Sequence, residues 1–158
     1  MLKRITGMTI SDWIEKYKNR VEVKDICDNL SNDVSKINID GLIGSSASFL
    51  TLVIFSNLPG NYLFILPEKE AAAYFYNNLE NIHEADKGVN VLFYPATYRR
   101  PYHIEETDNS NIMLRAEVLN VIQKRRKNTI IVTYPEAILE KVVTKKNLEK
   151  HTFEMEVG

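Results

Sequence analysis

A single cysteine, Cys27, is all the sequence holds, which excludes an internal disulfide and any metal site built on several thiolates. Val23, Ile26 and Leu30 stand near it at helical spacing, so it reads as a small core side chain rather than a reactive thiol. Glycine and proline are sparse, 6 and 5 residues of 158, and no low-complexity tract or internal repeat is visible. Neither sign of charge dominates: 20 Lys and Arg against 21 Asp and Glu leave a net charge of −1. The chain as a whole is therefore no polyanion binder, and any nucleic-acid contact has to come from a local basic patch. No apolar run approaches the roughly 20 residues that cross a membrane. Met1-Leu2-Lys3-Arg4 soon turns polar, unlike a secretory signal, so a reducing cytoplasm is the expected setting. His83, His103 and His151 are too scattered to predict a metal site. No nucleophile–base arrangement can be assembled, and none of Glu84, Asp86 or Asp108 has a partner for acid–base chemistry.

What is present is enough apolar material for one real core: 44% hydrophobic and 26% charged residues. Two short helices come first. One is capped by Thr9 or Ser11 and carries Ile10, Trp13, Ile14 and Tyr17 on one face; the other runs from about Glu22 to Asn32. From Lys36 onward, short apolar runs at Ile37–Ile39, Tyr62–Leu66, Asn90–Tyr94 and Thr129–Thr133 have strand length. Helical segments separate them: Ser45–Asn57, apolar almost all round, then Glu68–Ile82 and Asn111–Lys124. Thr133 and Glu136 have capping-box spacing, with Pro135 in the first turn, opening a helix with Ile138, Leu139 and Val142. Strands alternating with helices predict an α/β fold with a doubly wound, mostly parallel sheet. Phe153, Met155 and Val157 alternate with polar residues as in a half-exposed last strand, and Gly158 reads as a domain boundary. The expected division is a helical segment over 1–35 packing on a domain over 36–158.

In such a fold, phosphate sits in the loop between the first strand and its helix, at the helix N-terminus. Here that loop is Asp40-Gly41-Leu42-Ile43-Gly44-Ser45-Ser46-Ala47-Ser48. Laid on the pattern G-x-x-x-x-G-K-[ST], Gly41 takes the first glycine, Ser46 the last, Ala47 the lysine and Ser48 the hydroxyl position. Gly44 falls within the loop. Without the lysine, a triphosphate loses a charge-assisted contact worth about 1.5–3 kcal/mol and a cation for the transferred phosphoryl group. Taken alone, the loop fits a plain strand-to-helix turn, a working phosphate site or a decayed one.

The segments Gly41–Ala47, Tyr62–Glu68, Phe93–Tyr98 with Pro101-Tyr102, Leu114–Leu119, Ile130–Ile138 and His151–Phe153 resemble, in order and spacing, the N-terminal region of the bacterial transcription-repair coupling factor (Mfd) family. No one motif is specific; the series, covering Lys36 to Gly158, is. The resemblance implies a helicase-type module similar to UvrB, in which Gly41, Gly44, Ser45, Ser46, Ala47 and Ser48 form a degenerate loop holding no nucleotide. It implies no catalytic residue, metal or cofactor in these residues; ATP and magnesium would belong to the motor of the parent, a DNA-binding translocase and hydrolase. That parent displaces stalled RNA polymerase and recruits UvrA in nucleotide excision repair, with most of the UvrA surface in the following domain. UvrB's tyrosine-rich hairpin has no room between Ala96 and Ser110, so Tyr98 and Tyr102 would be remnants of its base.

Arg99 and Arg100 beside Tyr98 and Tyr102 are candidates for a nucleic-acid or partner contact, against a solvated loop in which they pair with Glu105, Glu106 or Asp108. Lys124-Arg125-Arg126-Lys127 reads first as a helix C-terminus whose cations complement the dipole. DNA contact is expected to be weak or absent. Two rival functions remain: a helicase subdomain still binding nucleotide through Ser45, Ser46 and Ser48, and a stand-alone flavodoxin-like interaction module.

Overall fold

The computed structural model describes residues 9–32, 36–83, 89–97 and 109–142. Helix α1 (Ile10–Lys18) starts from a capping box: the Thr9 hydroxyl accepts from Asp12 N at 3.2 Å, and Asp12 Oδ2 accepts from Thr9 N at 2.7 Å. Helix α2 (Val21–Leu30) follows, and the two bury Ile14, Val23 and Cys27 against Val53 and Ile54 of α3 (Ser46–Asn57). The opposite flank of α3 places Leu52 and Phe55 in the main core. A helix covered on two sides needs no polar stripe, which explains its nearly uniform apolar sequence.

The sheet is built from β1 (Asn61–Ile65), β2 (Asn90–Tyr94) and β3 (Thr129–Thr133), all parallel, in the order β1-β3-β2. Helix α4 (Lys69–His83) connects β1 to β2, and α5 (Asn109–Gln123) leads back to β3 between them. The direction of travel reverses after β2, so two right-handed crossovers put α4 and α5 on opposite faces. The two faces separate accordingly. Tyr62, Phe64, Val91, Phe93, Ile130 and Val132 meet Phe75 and Leu79 of α4, whereas Leu92 and Ile131 meet Val118 and Val121 of α5. Helix α5 covers only the β2 side of its face: Leu92 is 6% exposed, Leu63 on β1 is 59% exposed and Ile65 is 55% exposed. A five-residue helix, α6 (Pro135–Leu139), closes the described part. The described residues thus form an α/β protein with a small three-stranded parallel sheet. Among the described residues no helix is long and apolar enough to cross a membrane.

Three expectations are corrected. Ile37–Ile39 is not a strand; residues 36–45 form no regular element before α3. Asn38 spends its amide on Asp40 Oδ2 at 3.0 Å, and Gly41 turns the chain at φ +79°, local bonding that competes with a ladder. Thr133 does not cap α6. It ends β3 with its hydroxyl donating to Tyr94 O at 2.8 Å, and Tyr134 holds the cap position without a side-chain bond. The register of the sheet takes the threonine before the helix can. Finally, the helix expected to carry Ile138, Leu139 and Val142 stops at Leu139, short of Val142; Ala137 is fully enclosed, and Ile138, Leu139 and Val142 are 45%, 82% and 49% exposed. The strand expected over 152–157 lies outside the described residues.

Candidate functional site

The degenerate loop can be followed atom by atom. Gly41 and Gly44 both take left-handed backbone, φ +79° and +57°, and a Cβ at either would meet nothing within 4 Å. They serve the turn itself; nothing is drawn close to them. Between them the tip presents Leu42 and Ile43, 43% and 83% exposed, where a phosphate cradle would present inward-curling amides. The loop also closes on itself. Ile43 N donates to Ser46 Oγ at 2.7 Å, and Ser46 N donates back to Ile43 O at 3.1 Å. Asn78 and then Ser45 hydrogen-bond the Tyr74 hydroxyl and draw its pKa below the usual phenol value.

The two positions that matter most for nucleotide chemistry face inward. Ala47, at the lysine position, packs partly buried against the main core. Ser48, where a magnesium-holding hydroxyl would stand, is 1% exposed. An apolar groove of about 430 Å³ lies beside the loop between α1 and α3, walled by Trp13, Tyr17, Leu42 and Phe49. The surroundings of the loop therefore offer hydrocarbon and ring faces rather than cations.

A second cluster, which the sequence did not signal, sits at the C-terminal ends of the strands, the usual ligand edge of an open α/β sheet. Arg115, 6% exposed, reaches under it from α5. Its Nη1 donates to Pro95 O at 2.7 Å and Ala137 O at 3.1 Å, and lies 3.3 Å from Glu140 Oε2. The guanidinium carbon is 4.2 Å from the centre of the Tyr94 ring. Glu140 also accepts from Thr97 N at 2.6 Å and from the Thr97 hydroxyl. Tyr134 Oη accepts from Ala96 N at 2.9 Å, and Asn111 Nδ2 donates to Ala96 O at 3.2 Å. Burial raises the Tyr94 pKa, with Arg115 opposing and Glu140 assisting. The edge that would receive a ligand is filled by this network, which ties the exits of β2 and β3 to α5 and α6. No periodicity argument could find it, because an arginine in an amphipathic helix reads as surface until its carbonyl partners are known.

Tyr98, Arg99, Arg100 and Tyr102, the expected nucleic-acid or partner residues, lie outside the described residues. Among the described residues no group of three or more His, Cys, Asp or Glu side chains comes together as a metal site would require. No protein-family model, curated protein or solved structure matches the chain.

Proposed function

We propose that the chain is a non-catalytic, UvrB-like module of a transcription-repair coupling factor, a helicase-type α/β unit whose phosphate loop has become a packing element. One observation carries the proposal: at the two positions that would handle the terminal phosphate and magnesium, Ala47 packs partly buried against the main core and Ser48 is 1% exposed. The self-closed bonding of Ile43 with Ser46 and the apolar tip support it. A three-stranded parallel sheet with helices is compatible with part of a helicase-type core. In this reading the module is a scaffold in a cytoplasmic DNA-repair translocase. Polymerase displacement belongs to the parent's ATP-driven motor, and UvrA recruitment chiefly to the neighbouring domain.

The test is a calorimetric titration of the chain with ATP and magnesium. The expected result is no saturable binding up to millimolar nucleotide. Micromolar affinity that depends on magnesium favours the rival nucleotide-binding subdomain and removes the proposal. The family assignment has its own test: the coding sequence beyond Gly158 is expected to encode a polymerase-binding domain and a helicase motor, and a stop codon there favours an autonomous interaction module.

A further inference from the structure

Helix α5 ends in a way that its sequence makes costly. Arg126 N donates to Val121 O at 3.2 Å and Arg125 N donates to Ile122 O at 3.1 Å, the paired bonds of a Schellman motif. The residue that must turn left-handed in this motif is Arg125, at φ +50°. Glycine is the usual occupant, since a Cβ crowds the neighbouring carbonyl there. Three residues on, Asn128 is left-handed too, at φ +61°, but asparagine adopts this conformation readily. The arginine is the misfit.

The misfit sits inside a run of cations. Lys124, Arg125, Arg126 and Lys127 are all exposed, and among the described residues no carboxylate forms an ion pair with Arg125, Arg126 or Lys127. Complementing the helix dipole explains a cation at Lys124, but the effect fades beyond the last turn. It gives no reason for Arg126 and Lys127, or for refusing glycine at 125. Lys124 and Arg126 also edge a groove of about 430 Å³ whose walls carry the amides of Asn90 and Asn120, with Glu117 as its one carboxylate.

From these observations we infer that the turn Lys124–Lys127 is a docking point for the phosphodiester backbone of nucleic acid, bound through phosphates without sequence preference. Exposed cations in series beside amide donors suit a string of phosphates. A lipid surface would need a continuous apolar stripe beside the charges. The exposed large apolar side chains of this helix, Ile112, Met113 and Ile122, form no such stripe: only Ile122 is near the turn, and the other two lie nine and ten positions, about 14–15 Å, back along the axis. The contact is independent of the coupling-factor assignment and of nucleotide binding.

Fluorescence anisotropy of a labelled 20-base-pair duplex of arbitrary sequence, titrated with the full chain, tests it. Binding is expected at about 10–100 µM in low salt, with a log–log salt slope of about −3 to −4 for three or four neutralised phosphates. Arg125→Gly is expected to raise the thermal midpoint while weakening binding about threefold and reducing the slope by about one. Arg126→Ser and Lys127→Ser, beyond the helix, are expected to weaken binding similarly with no change in melting. Lys16→Ser on α1 leaves binding unaltered. Three outcomes overturn the inference: no duplex binding at low salt, equal binding by the wild-type chain and these turn variants, or preference for phosphatidylserine vesicles over the duplex.

Discussion

Arg115 on α5 and Glu140 just beyond α6 form an ion pair of 3.3 Å whose side chains are only 7% and 19% exposed. Arg115 also holds the carbonyls of Pro95, just past β2, and Ala137 in α6. Such a pair is worth little against a well-packed apolar substitute, yet breaking it from one side leaves a buried charge alone, at about 3–5 kcal/mol. Glu140→Ala is therefore expected to cost about 3 kcal/mol or more in urea unfolding. Arg115→Met combined with Glu140→Leu is expected to cost clearly less than the single change. A double loss equal to the sum of the losses from Arg115→Met and Glu140→Leu alone would show that the two side chains act separately.

Lysine at position 47 restores the lettering of a phosphate loop but not its geometry. The backbone there aims the side chain at the main core, and Ile43 and Ser46 already use each other's polar groups. Ala47→Lys is expected to leave ATP binding undetectable by calorimetry and to lower the melting temperature. A gain of micromolar affinity would mean the loop is still a phosphate cradle lacking only its charge.

Two leucines should respond oppositely to truncation. Leu79 is 0% exposed inside the core, and Leu79→Ala is expected to cost about 2–5 kcal/mol of unfolding free energy. Leu139, 82% exposed on α6, is expected to change by about 0.5 kcal/mol or less on the same substitution. A large loss at Leu139 would mean that it is buried in solution.

The cap of α1 carries an acid dependence. Bonds from the Thr9 backbone, and next from its hydroxyl, hold the Asp12 carboxyl below 3.8. A folded pKa below the unfolded one means the cap stabilises α1 fully above the unfolded value and loses that contribution as pH falls through the folded one. The Asp12 carboxyl carbon is expected to titrate below 3.8 by NMR. Thr9→Ala should move it only part of the way back, since the backbone donor remains. A wild-type midpoint at or above 3.8 would dissolve this account.

The parts of this fold legible in the sequence are those decided by local pattern. Of the two caps the sequence offers for α1, Thr9 and Ser11, Thr9 takes the place; the apolar run 46–57 is the enclosed helix, and β2 and β3 fall on the apolar runs over 90–94 and 129–133. Position 47 was legible as uncharged, but its inward aim was not. What escaped depends on distant partners. Ile37–Ile39 has strand character, yet Asn38, Asp40 and Gly41 bond and turn locally instead. Thr133 has capping spacing, yet Tyr94 on a neighbouring strand claims its hydroxyl. Arg115 is indistinguishable from a surface arginine until Pro95, Ala137 and Glu140 converge on it.

Because the middle strand of the sheet is the last of the three described strands to be made, its edges cannot find each other early. A growing chain that has emerged only as far as α5 holds β1 and β2 with nothing to join them, and the core that Tyr62, Phe64 and Phe93 share with α4 still lacks Ile130 and Val132. Assembly has to wait for Thr129–Thr133 to slide between two waiting partners. A product of synthesis or proteolysis that stops short of Thr129 is thus a sticky, unassembled fragment rather than a smaller version of the protein.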